Sequence, residues 1–461
     1  MTMRAATLPV QRPHDARLLV VDRHGHIEHR PRHAFVELLR PGDCVIANDA
    51  ATLPASLHGI HRRSDAVIEI RLAGRASLDP QDVKRFIAVV FGAGDFRTPT
   101  EARAAPPLLA SGDRLNFGKL EATIVRMLDH PRLVELQFHA DAARIWAALA
   151  QQGRPVQYAH LHEALALWDV WTPIAAQPVA FEPPSAGFVL DWRCVDALQA
   201  CSIPFATLTH AAGLSSTGDA TLDRRLPLDE PYRIPAATAA LIAATRARHG
   251  RVVAIGTTVV RALEHAASGD GVVHAGDAVA TQRIGPQTQL RAVDVIVSGT
   301  HEPDTSHYAL LRAFTDTLTL QGVTDELEVH RYRTHEFGDS VWIERRACVV
   351  RGTWTRPVDP RERERCRALG IGLADPHRKD SAMAELPSTR PNGAGATLRS
   401  VLTLSGGAVP VAPSPDRETS HDTRNQSADH PDPAADRRPA RLAVSQRLGL
   451  PADRPASSVL C

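Results

Sequence analysis

Three stretches of the chain hold residue types whose order and spacing suit chemistry. Ile255-Gly-Thr-Thr-Val-Val-Arg-Ala-Leu-Glu264 reads as a buried strand that turns through Gly256, Thr257 and Thr258 into a helix. Such a turn aims backbone N–H groups and two hydroxyls at the positive end of the helix dipole, a setting for a phosphate or carboxylate. The same pattern arises where Thr257 or Thr258 does no more than cap the helix. Arg261 and Glu264 fall on nearby turns and are spaced to pair with each other. A second strand, Ala292 to Val297, runs into the polar loop Ser298-Gly-Thr-His301-Glu-Pro-Asp-Thr-Ser306. Open α/β sheets build their sites at such carboxyl ends, so His301, Thr305 and Ser306 are placed to face a ligand. Alternatively Asp304 or Thr305 caps the helix that follows. The third stretch, Thr207 to Gly218, is rich in hydroxyls and glycine and carries His210, whose imidazole titrates in the range useful for acid or base work.

Metal and nucleophile chemistry leaves no comparable mark. His29 and His33 have i, i+4 spacing, but Pro31 between them breaks the helix that spacing needs. His160 and His162 stand too close for helical ligation, and no cysteine or third histidine is near either pair in sequence. No structural or catalytic metal is expected. Neither a Gly-x-Ser-x-Gly elbow nor a Cys/His pair in a persuasive setting is present.

The elements that must carry these residues fall into two patterns. From about residue 148 onward, helices alternate with short apolar strands. Pro235 to His249 reads as a helix, Arg251 to Ile255 as a strand, Val259 to Ala267 as a helix and Ser306 to Leu320 as another. That alternation predicts an α/β domain with a largely parallel sheet. Leu18 to Asp22 and Asp43 to Asn48 join the same body. Between residues 61 and 147 the runs Ala66–Leu72, Phe86–Phe91, Leu120–Arg126 and Leu133–Phe138 are short, β-branched and separated by Gly, Pro and Asp. These predict an antiparallel β-barrel inserted into the α/β domain, which then spans 1–60 and 148–375. Residues 376–461, rich in Pro, Ser, Asp, Arg and Gly, bury too little apolar surface to offset chain entropy and are expected to form a disordered tail.

Taken in order, the motifs resemble the S-adenosylmethionine:tRNA ribosyltransferase-isomerase family of queuosine biosynthesis. The matching residues run from Arg17-Leu-Leu-Val-Val-Asp22 through Arg40-Pro-Gly-Asp43, Asn48-Asp49 and Pro54-Ala55 to Tyr158-Ala159. They continue with Pro184-Ser-Ala-Gly187, His210 with Gly213, Glu230 with Tyr232, and Ile255-Gly-Thr-Thr258 with Arg261 and Leu263-Glu264. Val293-Asp294, His301-Glu-Pro303, Thr305, Ala313-Phe314 and Phe337-Gly-Asp339 complete the series. The resemblance implies transfer of the ribosyl portion of S-adenosylmethionine, a co-substrate rather than a bound cofactor, to an aminomethyl-deazaguanine in a tRNA anticodon. The products would be epoxyqueuosine, adenine and methionine. It also implies catalytic roles for His210, His301 and Glu230. Asn48, Asp49, Ser185, Gly187, Gly256, Thr257, Thr258, Arg261, Asp294 and Thr305 would then contact substrate, with Asp49, Glu230 or Asp294 holding the amine or ribose hydroxyls.

The chain also departs from the family pattern. Ala50-Ala51 stands where the family has Thr-Arg, Ser56 where it has Arg, Val189 where it has His, and Gly299-Thr-His-Glu302 where it has Asn-Phe-His-Leu. Two lost arginines are what a protein giving up phosphate contacts would show. This leaves open a paralogue with a different acceptor, or a catalytically silent nucleotide- or RNA-binding homologue.

Composition narrows the classes further. The 461 residues carry 53 Lys and Arg against 52 Asp and Glu, a net charge of +1, with lysine only at Lys84, Lys119 and Lys379. A broadly polybasic nucleic-acid binder is excluded, while a local basic face is not. Six cysteines without a CxxC pair suit a reducing compartment. The first residues lack the apolar run of a signal peptide, and no apolar stretch is long enough to span a bilayer. A monomeric cytoplasmic enzyme acting on tRNA, with no membrane association, is the expectation.

Overall fold

The computed structural model describes residues 3–303 and 305–346; the expected tail at 376–461 lies outside them. Within this span the chain builds a nine-stranded mixed sheet and a closed six-stranded barrel, as the two sequence patterns predict.

Runs such as Cys44-Val-Ile-Ala-Asn48 and Val252-Val-Ala-Ile255 are buried at every residue, which a strand tolerates only when both faces of its sheet are covered. These two form the middle of the large sheet. Phe205–His210 pairs in parallel with Cys44–Asn48, which pairs with Val252–Ile255, which pairs with Val295–Gly299. Four parallel strands therefore end at one edge. Two antiparallel neighbours begin there. Glu230–Ile234 lies against Phe205–His210, and Ser340–Glu344 lies against Val295–Gly299. The loops before these two strands thus meet the loops after the central four.

Helices cover one face through a core that joins Ile46, Val260, Leu263, Phe314 and Leu327. A second core, with Phe35, Leu190, Leu198 and Trp342, covers the other. The helix expected over Ser306–Leu320 is two helices, Ser306–Leu311 and Thr317–Val329. Asp316 explains the break, because its carboxylate accepts from the Thr319 N–H at 3.0 Å and caps a new start. Phe314, just ahead of it, is buried in the core.

The barrel runs in the order Leu120–Met127, Leu133–Phe138, Arg85–Phe91, Ala66–Gly74, Ser56–His61, Arg114–Phe117 and closes on itself. Phe86, Phe117 and Phe138 fill its interior in edge-to-face contacts with ring centroids 5.8 and 6.5 Å apart. Its strand Ser56–His61 starts ahead of the expected boundary at residue 61. Polar His58 and small Gly59 hide that strand from a hydrophobic reading, and Gly59 is required there because a Cβ would sit 2.3 Å from the Asn116 carbonyl. No helix among the described residues is long and apolar enough to cross a membrane.

Candidate active site

The chain ends that gather at the sheet edge enclose a cleft of about 890 Å³, within the range of small-molecule sites. Its wall includes Gly256 to Thr258, the loop from Ser298 to Thr300, the loop at Pro183 to Ala186 and, from the barrel, Pro99 to Glu101.

The Gly-Thr-Thr turn forms as its sequence predicts. Gly256 takes φ +100° and donates its N–H to the Val297 carbonyl at 2.8 Å, while Thr257–Ala266 continues as a helix. Gly256 itself is the N-cap, and the helix has no side-chain cap among the described residues. Neither threonine acts as the cap. The first-turn amides, which have no acceptor inside a helix, are left to the cleft. A Gly256→Ala variant must hold an L-residue at positive φ, with its Cβ 3.4 Å from the Ala186 Cβ. We expect a loss of about 1–3 kcal/mol, read as a lower thermal midpoint; an unchanged midpoint would show that the turn is not strained.

Beside this turn lies a largely buried ionic knot, whose Arg261 and Glu230 both line the cleft. The Arg261 guanidinium pairs with Glu230 and also donates to the carbonyls of Ala280 at 2.8 Å and Gln282 at 3.1 Å. Glu230 in turn accepts from the Gly213 N–H at 2.6 Å. Any Cβ on residue 213 would lie 2.8 Å from that carboxylate oxygen, so glycine is needed for the approach. The expected Arg261–Glu264 pair does not form. Glu264 instead accepts from the backbone N–H groups of Arg291, Ala292 and Val293, at 2.7 to 3.0 Å.

His210 ends its strand fully buried, away from the cleft wall. Its Nε2 stands 3.5 Å from Glu230, and neither ring nitrogen has a hydrogen-bond partner among the described residues. Burial, assisted by the Arg261 charge, lowers its pKa to about 3, so the ring is neutral at ordinary pH. Asn48 locks this corner. Its side chain accepts from the N–H groups of His210 and Ala50 and donates to the His210 carbonyl and the Thr258 hydroxyl. Asp49 accepts from the hydroxyls of Thr207 and Thr209. Asn48, Asp49 and Gly187 do not line the cleft; Ser185 does.

Asp294 lies off the cleft wall, at the other end of its strand. It precedes Val295–Gly299, so it sits at the amino end of that strand, bonded to Arg345 at 2.6 Å and the Val252 N–H at 3.0 Å. A substrate role for it is therefore withdrawn. Thr305 lines the cleft, yet its hydroxyl caps the next helix by accepting from the Tyr308 N–H at 3.2 Å. His301 does face the cleft, with Nε2 2.8 Å from the Ser298 hydroxyl and its ring stacked on His307 at 4.7 Å. Burial, and then the neighbouring His307 and His335, hold its pKa well below the usual imidazole range.

Glu182, which the motifs do not include, lines the cleft wall. Burial raises its carboxyl pKa to about 7, against the hydrogen bond from the Tyr158 hydroxyl. Burial also pushes the Tyr158 phenol well above its ordinary range, so Tyr158 remains a donor. The one sequence signal was position: Glu182 directly precedes Pro183-Pro184-Ser185-Ala-Gly187.

Residues 2–343 match the model of a protein family described as queuosine biosynthesis protein. A relative from Citrifermentans bemidjiense, named S-adenosylmethionine:tRNA ribosyltransferase-isomerase, is 30% identical over 348 residues, covering 73% of this chain and 94% of that protein. A relative of the same name from Moorella thermoacetica is 29% identical over 351 residues, covering 73% and 95%. The crystal structure of an S-adenosylmethionine tRNA ribosyltransferase from Thermotoga maritima is 23% identical, covers 74% of this chain and 98% of its own, and superposes with a TM-score of 0.40. With a family match that runs from the first strand of the structure to the last, and relatives covered over nearly their whole length, the chain belongs to the queuosine biosynthesis protein family.

Proposed function

We propose that this protein transfers and isomerises the ribosyl portion of S-adenosylmethionine onto 7-aminomethyl-7-deazaguanine in tRNA, giving epoxyqueuosine with release of adenine and methionine. The observation that carries the reading is the uncapped helix start at Gly256–Thr258, opening into a cleft whose wall also holds Glu182. The helix start suits the methionyl carboxylate. Glu182, with a pKa of about 7, suits removal of the acidic proton beside the sulfonium. His301, neutral and at the cleft wall, suits a hydrogen bond to the departing adenine. Glu230 and Arg261 line the cleft as an ion pair, and with His210 and Asn48, which do not line it, they hold the turn in place.

One observation favours a second reading, with the same donor and another acceptor. Ala51 and Ser56, at positions where the family pattern has arginine, are both buried. Ser56 is committed to the barrel, donating to Glu69 at 2.8 Å, and Glu69 is already paired with Arg71 and Arg103. Neither position offers a cation to a phosphate.

Adenine release separates these readings. Mixed with S-adenosylmethionine and tRNA carrying the aminomethyl-deazaguanine, the protein is expected to release adenine, followed by chromatography, with no release when that tRNA is omitted. Adenine appearing equally without it would move the assignment to another acceptor. No adenine at all, beside an active family enzyme, would refute the transfer reaction for this chain.

A further inference from the structure

We propose that His160, His335 and Glu336 form a binding site for a divalent first-row transition-metal ion of the zinc class on the wall of the cleft. Sequence spacing could not suggest it, because the ligands come from two segments far apart in the chain. His160 follows Tyr158 in the loop that enters the second half of the α/β domain. His335 and Glu336 lie in the loop before Ser340–Glu344, which the antiparallel pairing of that strand returns to the sheet edge where the cleft lies.

The donor set is the argument. One ligand atom from each of the three residues lies within 4.8 Å of the other two. His160 Nε2 is 3.0 Å from Glu336 Oε2, and the His160 and His335 rings stack at 4.2 Å. Ligands around a tetrahedral zinc ion sit roughly 3–3.5 Å apart, given bonds of about 2.0–2.2 Å. The three ligand atoms lie within about 2 Å of that spacing, a difference of the size that side-chain rotation covers. Two imidazoles and one carboxylate are a set that zinc-class ions favour over calcium or magnesium. All three residues line the cleft, so a fourth position is open to it. Glu302 borders that position, its Oε1 3.8 Å from His335 Nε2.

The backbone supports the same reading. His335 is held at φ +68°, a conformation that non-glycine residues seldom adopt and that is often retained where a side chain must be presented. A second cluster, His29 with Glu326 and His330, has similar composition but lies on the exposed outer strand and its neighbouring helix, without a cleft. It serves as the internal control.

The test uses the full-length chain, stripped with chelator and titrated with Zn²⁺ by calorimetry, with Co²⁺ as a spectroscopic probe. The parent is expected to bind Zn²⁺ and to give the intense visible absorption of four-coordinate Co²⁺. His160→Ala/His335→Ala should lose one equivalent of Zn²⁺ and that absorption, while His29→Ala/His330→Ala keeps both. Glu336→Gln, which preserves shape, should weaken Zn²⁺ binding roughly tenfold or more and guards against a double variant that fails to fold. Equal stoichiometry and affinity in the parent, the His160/His335 variant and Glu336→Gln would overturn the site, as would a parent that binds no Zn²⁺.

Discussion

Replacing Arg261 with methionine is expected to cost about 3–5 kcal/mol of folding stability, because removing one partner of a buried ion pair leaves an uncompensated charge. Arg261 is 4% exposed and Glu230 6%, so water cannot take over the lost contacts. The guanidinium also satisfies the carbonyls of Ala280 and Gln282, and methionine fills its volume without replacing either hydrogen bond. Chemical denaturation checks the value. A loss under about 1 kcal/mol would mean that Glu230 simply takes up a proton, and that the pair is a weak element of the fold. The double variant Glu230→Gln/Arg261→Met discriminates further. It removes the stranded charge while keeping an acceptor for the Gly213 N–H, so it should be more stable than Arg261→Met alone. Both residues also line the cleft, so S-adenosylmethionine binding in these variants should fall by more than the loss of stability alone accounts for.

The parts of this site that could be read from the chain are those whose cause is local. The strand, the glycine at positive φ and the helix from Val252 to Ala266 form one contiguous signal, and a short apolar run followed by Gly-Thr-Thr leaves few alternatives. Four of the six barrel strands are legible for the same reason; His58 and Gly59 interrupt the pattern of Ser56–His61, and Arg114–Phe117 is too short to stand out. Asp294 was misplaced although the needed rule was available: sites gather beyond the carboxyl ends of parallel strands, and Asp294 precedes its strand. His210 reads as an acid or base from its residue type and motif, neither of which reports burial. Its burial comes from long-range pairing with Cys44–Asn48 and Glu230–Ile234, invisible without the sheet order. Glu182 and the His160–His335–Glu336 group show the same limit more strongly. Their chemistry arises from burial and from neighbours up to 176 positions away, which no spacing rule reaches.

Glu182→Gln is expected to reduce turnover by roughly 10²–10⁴-fold, the usual share of a positioned acid or base. The substitution keeps size and an acceptor for the Tyr158 hydroxyl, so it removes proton transfer and little else. A base works when ionised. Turnover in the parent should therefore rise with pH through about 7 and level off above it, and the variant should lack that limb. The stability of the two proteins supplies an independent check whose sign follows from the same shift. Glu182 has its pKa raised from 4.5 unfolded to about 7 folded. Its protonated form favours the fold, so that stabilisation is fully present below pH 4.5 and is lost as pH rises through about 7. The glutamine variant never ionises. At pH 8 it should thus be more stable than the parent, by on the order of 2–3 kcal/mol, with the difference vanishing toward pH 4. A variant that loses activity while gaining stability at high pH would separate proton transfer from structure. One that keeps its turnover, or keeps the limb near pH 7, would move the proton-accepting role to another group on the cleft wall.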